Sequence, residues 1–442
     1  MPRFNLAPAV RATAAPPIPK AKAWGPVYAA SPAAASAPLL DLSQGVPGTA
    51  PDARVLAALS DVAGTFEAAK YGAILGEGAL RAGLATELRV KYGLDDSALT
   101  AEDVGITTGC NMAFLNLLMI LCEPNTSSVL IPLPSYFNHA MSLSLQSVVA
   151  DYIPADPAAG FQPSLGAART ILERGTRSVN GREVTPRAIV LVTPNNPTGA
   201  VYSPETLRQW YALAKEFNVP LVLDETYRDF VDAPHRLFEE EDWRETLITL
   251  GSFSKGYRLP GHRLGSITAS PELLKQVATV LDCMQICPPR TAQLAITPLL
   301  PELRGDLAAG SAAVAARRRL FEETVNAVRG WRVVSSGGYF AYVQFPEAYS
   351  APEAAAALGV SPGDKVGSEA VGRALGERCG VVTLPGAFFM PPLEDDAVWA
   401  AIPGGDALRA DQWIRFAIAN VSDETIVQLG PRLAQLNAIV GV

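Results

Sequence analysis

The chain has 442 residues, of which 49% are hydrophobic and 18% charged, a composition that excludes a disordered or solvating protein and predicts a well-buried globular one. Its length exceeds what one ordinary core organises, so two domains are expected. A formal net charge of −8 with no Lys/Arg-rich block gives no electrostatic basis for nucleic-acid binding, and no run of 18 apolar residues is present to span a bilayer.

In chain order, residues 1–38 are rich in Ala and Pro and read as irregular or extended. The first 40 residues hold no Asp or Glu but include Arg3, Arg11, Lys20 and Lys22, a faint likeness to a transit peptide. Pro16, Pro17 and Pro19 argue against an amphipathic helix there; an arm packed on a partner subunit, in a cytoplasmic protein, is the expectation. The spacing of Leu80, Leu84 and Leu88 predicts a helix over 78–92. A short strand at 105–108 ends in Gly109, and 112–121 reads as a buried helix. Apolar runs at 128–132, 188–193, 220–224 and 247–252 carry strand signatures. Between them, 204–217 reads as a helix with Ser203 as N-cap and a proline in its first turn. Strands alternating with helices at this spacing imply an α/β fold with a mainly parallel sheet. A long helix over 305–328 leads out of it, strands at 339–345 and 413–419 suit a smaller α+β domain, and 391–411 reads as a surface loop. The expected division is an N-terminal arm and part of the small domain over 1–70, a large domain over 71–320 and a small C-terminal domain over 321–442.

Five scattered cysteines (Cys110, Cys122, Cys283, Cys287, Cys379) read as reduced thiols rather than a zinc site or disulfides. Three histidines (His139, His235, His262) offer little for a metal, and His262 reads as filler although it sits in the lysine motif below.

Four motifs carry chemistry. In Ser252-Phe-Ser-Lys255-Gly-Tyr-Arg-Leu-Pro-Gly-His-Arg263-Leu-Gly265, a lysine just after a buried strand can lose its proton through desolvation and attack an aldehyde. Ser252 and Arg263 could reach one phosphate. SxxK alone also occurs in serine hydrolases; the full string is more specific. In Leu221-Val-Leu-Asp224-Glu-Thr-Tyr227, the aspartate at a strand's carboxyl end points into the usual ligand crevice, where it could keep a pyridine nitrogen protonated, with Tyr227 near the ring oxygen. The bland alternative is a helix cap. In Val192-Thr-Pro-Asn195-Asn196-Pro197-Thr-Gly199, Asn196 follows a strand and could donate to the same oxygen, although a plain turn explains the string equally. In Thr107-Thr108-Gly109-Cys110-Asn111, a glycine turn before a helix suits a phosphate through its free amides.

Taken together and in this order, the motifs resemble those of the class I/II aminotransferases, which are fold type I enzymes dependent on pyridoxal phosphate. The similarity runs from about Asp41 to the C-terminus. The resemblance implies that Lys255 is the Schiff-base lysine and later moves a proton, that Asp224 partners the pyridine nitrogen, and that Asn196 and Tyr227 hold the ring oxygen. It implies that Ser252, Arg263, Gly109, Cys110 and Asn111 surround the phosphate and that Tyr136, in Pro134-Ser-Tyr-Phe-Asn, stacks on the ring. Tyr71 would reach the neighbouring subunit's phosphate, implying a homodimer, while Arg415 in WIRFAIA would clamp the substrate carboxylate beside Gly45. The implied reaction is a ping-pong transfer of an amino group from an L-amino acid to a 2-oxo acid.

No arginine carries the motif of a distal-carboxylate clamp, and Asn111 stands where some bacterial-type relatives place a lysine, so strict aspartate specificity is not expected. Phe137, Met284 and Ile286 are candidates for an apolar substrate pocket, and Phe388-Phe389 replaces a more usual Phe-Gly pair. Within the same fold, β/γ-eliminating lyases and enzymes resembling aminocyclopropane-carboxylate synthase remain the alternatives. A regulator that senses amines would carry a basic helix-turn-helix module, for which the roughly 40 residues before the fold leave no room.

Overall fold

A computed structural model describes residues 4–442; Arg3 lies outside them. The larger sheet has its strands in the order Val104–Thr107, Gly265–Thr268, Leu247–Ser252, Leu221–Asp224, Arg182–Val192, Ser127–Leu133, Val149–Asp156 and Gln162–Pro163, with Arg177–Val179 paired on Arg182–Val192. The neighbours from Leu247–Ser252 to Val149–Asp156 run parallel, while Gly265–Thr268 is antiparallel to both strands beside it. Helices cover both faces, which is why the inner strands Ser127–Leu133 and Leu221–Asp224 are buried along their whole length and read in the sequence as apolar runs.

This topology puts the carboxyl ends of five strands along one edge. Thr107 leads to Gly109, Leu133 to Tyr136, Val192 to Asn196, and Ser252 to Lys255; Asp224 is itself the last residue of its strand. Such an edge is the usual ligand crevice of a parallel sheet.

The smaller sheet is antiparallel, in the order Arg332–Gly337, Phe340–Gln344, Trp413–Ala417, Leu384–Pro385. A separate parallel pair joins Leu40–Asp41 to Val381–Val382. Helices Arg304–Asn326, Ser368–Cys379 and Asp423–Val440 enclose its core, which includes Phe321, Leu375, Phe416 and Leu433.

The helix at Gly78–Tyr92 and the strand at Leu247–Ser252 have the expected bounds, and Ser203 caps Pro204–Glu216 by accepting from the amide of Thr206 at 3.0 Å. Two expectations need correction. The N-terminal stretch is not extended: it forms Pro8–Ala12, Ile18–Lys22, Gly25–Ala29 and the 3-10 turn Pro32–Ala35. Each begins with proline in its first turn, where no amide hydrogen is needed, so the prolines start these turns instead of preventing them. Ala21, Trp24 and Tyr28 are buried against the chain's own smaller unit, including helix Ser368–Cys379. Likewise 391–411 is not a simple loop: it holds helix Asp396–Ala400 and turn Gly405–Ala410, anchored by buried Trp399, Ile402 and Leu408. The apolar run 398–402 is too short, between prolines and glycines, to show a helical period. No helix among the described residues is long and apolar enough to cross a membrane.

Candidate active site

At the carboxyl edge lies a cleft of about 160 Å³ whose walls include Cys110, Asn111, Tyr136, Asn196, Asp224, Tyr227, Ser252, Lys255 and Arg263. Nine residues singled out from five separate motifs thus meet in one place. Thr226 and Ser254 line it too and were missed; Ser254 is buried just before the lysine, and its hydroxyl is a second one within the same turn. A wider cavity of about 240 Å³ opens between helix Gly78–Tyr92 and the start of Arg304–Asn326, away from the lysine amine.

Lys255 Nζ donates to the carbonyl of Gly45 and lies 5.7 Å from the Tyr227 ring centre and 5.8 Å from that of Tyr339. Burial first, then the positive charges of Arg415 and Arg263, bring its pKa down to about 8. A lysine in that range is in part a free amine at neutral pH and therefore a nucleophile.

One wall is a cradle for an anion. Gly109 has φ of +81° and precedes helix Cys110–Leu121, which no side chain caps, so its first-turn amides stand free beside the cleft. A Cβ on Gly109 would sit 2.2 Å from Nη2 of Arg263, and one on Gly265 would sit 2.5 Å from the carbonyl carbon of Gly109. Only glycines allow this approach of two backbones and a guanidinium. Ser252 and Ser254 add hydroxyls from the adjoining turn. Free amides, hydroxyls and one guanidinium form a donor set suited to a phosphate, and the nearby amine suits an aldehyde, so the residues present fit pyridoxal phosphate.

Asp224 is 3% exposed, with Oδ2 at 3.2 Å from Nε2 of His139 and Oδ1 accepting from the amide of Thr226 at 3.0 Å. Burial alone would raise its pKa; the contacts with His139 and Thr226 outweigh it and the net direction is down. His139 is thus a working neighbour of the site that the sequence reading left without a role. Its signal was the spacing Tyr136-x-x-His139 at the start of helix Phe137–Leu145, which puts both side chains on one helical face.

Arg415 is 2% exposed on strand Trp413–Ala417 of the smaller sheet. Its Nη1 donates to Oδ1 of Asn196 at 3.0 Å, its Nη2 donates to the carbonyl of Ser43, and its Nε has no partner. Burial brings its pKa down to about 10, which leaves it charged at neutral pH. Gly45 lies two residues from Ser43, where a Cβ would meet the Phe340 ring at 2.4 Å.

Some expected residues are not brought in. Tyr71 is 78% exposed and forms no part of this cleft within the single chain. Ile286 caps the end of helix Pro271–Gln285 and is 43% exposed, and Met284 does not line the cleft either; neither forms an apolar pocket there within the chain.

Residues 37–433 match the family described as aminotransferase class I and II. The aspartate aminotransferase of Sulfurisphaera tokodaii is 27% identical over 283 residues, covering 62% of this chain and 66% of that protein. The aromatic aminotransferase ISS1 of Arabidopsis thaliana is 30% identical over 56% of this chain and 60% of its own length, and the aspartate/prephenate aminotransferase of Thermus thermophilus 29% over 64% and 70%. Matches to these curated relatives therefore span about two thirds of their lengths. Among solved structures, Bna3p, a putative kynurenine aminotransferase of Saccharomyces cerevisiae, superposes with a TM-score of 0.82 at 19% identity, over 99% of this chain and all of that one. A double mutant of Thermus thermophilus aspartate aminotransferase gives 0.77 at 23% identity, over 98% and 100%. At such identities the structural likeness is one of fold.

Proposed function

Because the chain belongs to the aminotransferase class I and II family, fold type I proteins that depend on pyridoxal phosphate, we propose that it moves the amino group of an L-amino acid to a 2-oxo acid in two ping-pong half-reactions. The observation that carries this reading is the pairing, in one region, of a lysine with its pKa lowered to about 8 and a buried arginine with an unpartnered Nε. An amine nucleophile beside a carboxylate anchor is what an α-amino acid substrate requires.

Pyridoxal phosphate, when bound, supplies an aldehyde that captures amines and a ring that accepts the electron pair released at the substrate Cα. The amides at Gly109, Cys110 and Asn111, the hydroxyls of Ser252 and Ser254, and Arg263 hold the phosphate. Tyr136 packs on the ring. Asp224, kept ionised by His139, holds a proton on the pyridine nitrogen. Tyr227 and the Asn196 amide donate to the ring oxygen; since Asn196 Oδ1 already accepts from Arg415, its Nδ2 is the group that donates. Arg415, with Asn196 and the backbone at Gly45, fixes the substrate carboxylate and so the orientation of the Cα–H bond. Lys255 Nζ then takes the proton from Cα.

The working unit in this reading is a homodimer in which Tyr71 of the partner subunit reaches the phosphate; the exposure of Tyr71 supports it. The divisions 1–70, 71–320 and 321–442 are retained as arm, large domain and small domain. Five free cysteines among the described residues fit a reducing compartment, and we place the protein in the cytoplasm.

The test is the absorbance spectrum of the purified holoprotein, before and after amino acids are added without any 2-oxo acid. Conversion to the pyridoxamine form supports transamination. A persisting band, or release of ammonia without pyridoxamine, would replace it with the lyase reading.

A further inference from the structure

Granted that Arg415 anchors the α-carboxylate, the substrate side chain must lie among the groups around that guanidinium. Those groups are aromatic. The guanidinium carbon is 4.6 Å from the ring centre of Phe340 and 5.1 Å from that of Phe389. From Phe389 the aromatic wall continues to Phe137 at 5.8 Å, and from Phe137 to Tyr136 of the cleft at 5.2 Å.

Phe137 and Phe389 belong to a small hydrophobic cluster apart from the main cores. It joins three stretches of chain: Ile18 and Trp24 from the N-terminal helices, Leu384, Phe388 and Phe389 from the smaller unit, and Phe137 from the larger. Its inner members are buried, with Trp24 at 7% and Phe389 at 1% exposure. Phe137 and Phe388 are only half-buried, so the cluster keeps uncovered aromatic surface, that of Phe137 beside Tyr136 of the cleft and that of Phe388 beside Lys20. Trp24 backs Phe388 at 6.3 Å.

The charges in this neighbourhood are already matched. Lys20 Nζ, 5.4 Å from the Phe388 ring, is 2.6 Å from Glu369, and Lys22 is held by Asp41 at 3.6 Å and Gln44 at 3.1 Å. A second substrate carboxylate would have to leave water for an aromatic wall and break these pairs, whereas an apolar side chain loses nothing there and removes its own surface and that of Phe137 from water.

We infer that the amino donor carries a large apolar or aromatic side chain, received by Phe137 beside Tyr136 of the cleft. The specificity wall is therefore assembled from both units, with Phe137, backed by Phe389, its selectable element.

The experiment is single-turnover conversion of the holoenzyme by L-phenylalanine, L-leucine, L-alanine and L-aspartate, followed by absorbance. Wild type should convert phenylalanine with an apparent second-order constant about 100-fold above that for aspartate, the scale of discrimination that such pockets reach. Phe137→Ala should lower the phenylalanine-to-alanine ratio about tenfold. Phe137→Leu, which keeps a large apolar side chain at the site, should lower it by less. Aspartate converted as fast as phenylalanine would overturn the substrate class and leave transamination standing. An unchanged phenylalanine-to-alanine ratio in both variants would remove Phe137 from the wall. No conversion by any amino acid would sink the transamination reading and this inference with it.

Discussion

Nη1 of Arg415, on the smaller sheet, donates to Oδ1 of Asn196, on the loop beyond a strand of the larger one, at 3.0 Å. The contact ties the two units together at the point where the substrate carboxylate is proposed to bind. It is also an incomplete arrangement: the guanidinium is 2% exposed, yet its partners are an amide oxygen and a carbonyl, and Nε has none. A buried cation without an anion is costly, and a bound carboxylate removes that cost.

Arg415→Met should therefore separate function from stability. Losing the charged anchor removes about 3–4 kcal/mol of substrate binding, the scale of a buried charged pair, which is about two to three orders of magnitude in kcat/KM for amino acids. Unfolding free energy should stay the same or rise, because an unpaired buried charge is replaced by an apolar chain of similar length. Steady-state kinetics and denaturant melts decide it; a kcat/KM within a few-fold of wild type would remove Arg415 as the anchor.

Lys255 predicts a pH dependence for cofactor capture. Its pKa is lowered from 10.5 to about 8, so the neutral amine predominates above about pH 8 instead of only above 10. The rate at which apoprotein forms its imine band with pyridoxal phosphate should rise with pH and reach half its maximum near pH 8. Because Arg415 is one cause of the shift, after burial, Arg415→Met should move that midpoint upward. Lys255→Ala should show no imine band in the protein alone. A midpoint in the variant unchanged from wild type would show that burial and Arg263 set the value without Arg415.

His139 makes a further prediction. It stacks on Phe114 with ring centres 4.1 Å apart and contacts Asp224 at 3.2 Å. Burial acts to raise the Asp224 pKa and the contact with His139 is the largest effect opposing it, so His139→Leu should let the carboxyl protonate at higher pH. The acid limb of the kcat/KM profile should move to higher pH, with a fall in rate on its acid side. An acid limb left in place would limit His139 to packing.

The strand ends were legible because a parallel sheet buries its strands on both faces, so 220–224 and 247–252 stand out as apolar runs with the reactive residue at their end or just beyond it. Asp224, Asn196 and Lys255 could be ordered along one crevice for that reason. Ser254 and His139 could not, since a small hydroxyl in a turn and a histidine on an apolar helix are each far more often structural. The N-terminal helices were misread because the prolines that end a helix in its middle are neutral in its first turn, and composition does not tell the two positions apart. The Arg415–Asn196 contact joins residues 219 positions apart, and no local pattern announces such a pair.

Asp411 carries the last prediction, one of stability. It is 4% exposed, at φ of +50°, two residues before strand Trp413–Ala417. Its Oδ2 accepts from the amide of Ser368 at 2.7 Å, but Oδ1 is buried without a partner. Burial, working against that hydrogen bond, raises its pKa from 3.8 to about 6. Between these values the folded state binds the proton and the unfolded state releases it. The contribution to stability is thus fully present below about pH 4 and is lost as pH rises through 6. A shift of two units corresponds to about 3 kcal/mol. Asparagine keeps the acceptor for Ser368, turns the partnerless oxygen into an amide, and tolerates a positive φ. Asp411→Asn should match wild type near pH 4 and exceed it above pH 7, by up to about 3 kcal/mol in denaturant melts. If the two proteins keep a constant difference from pH 4 to 8, Asp411 is already ionised throughout and some unlocated partner meets Oδ1.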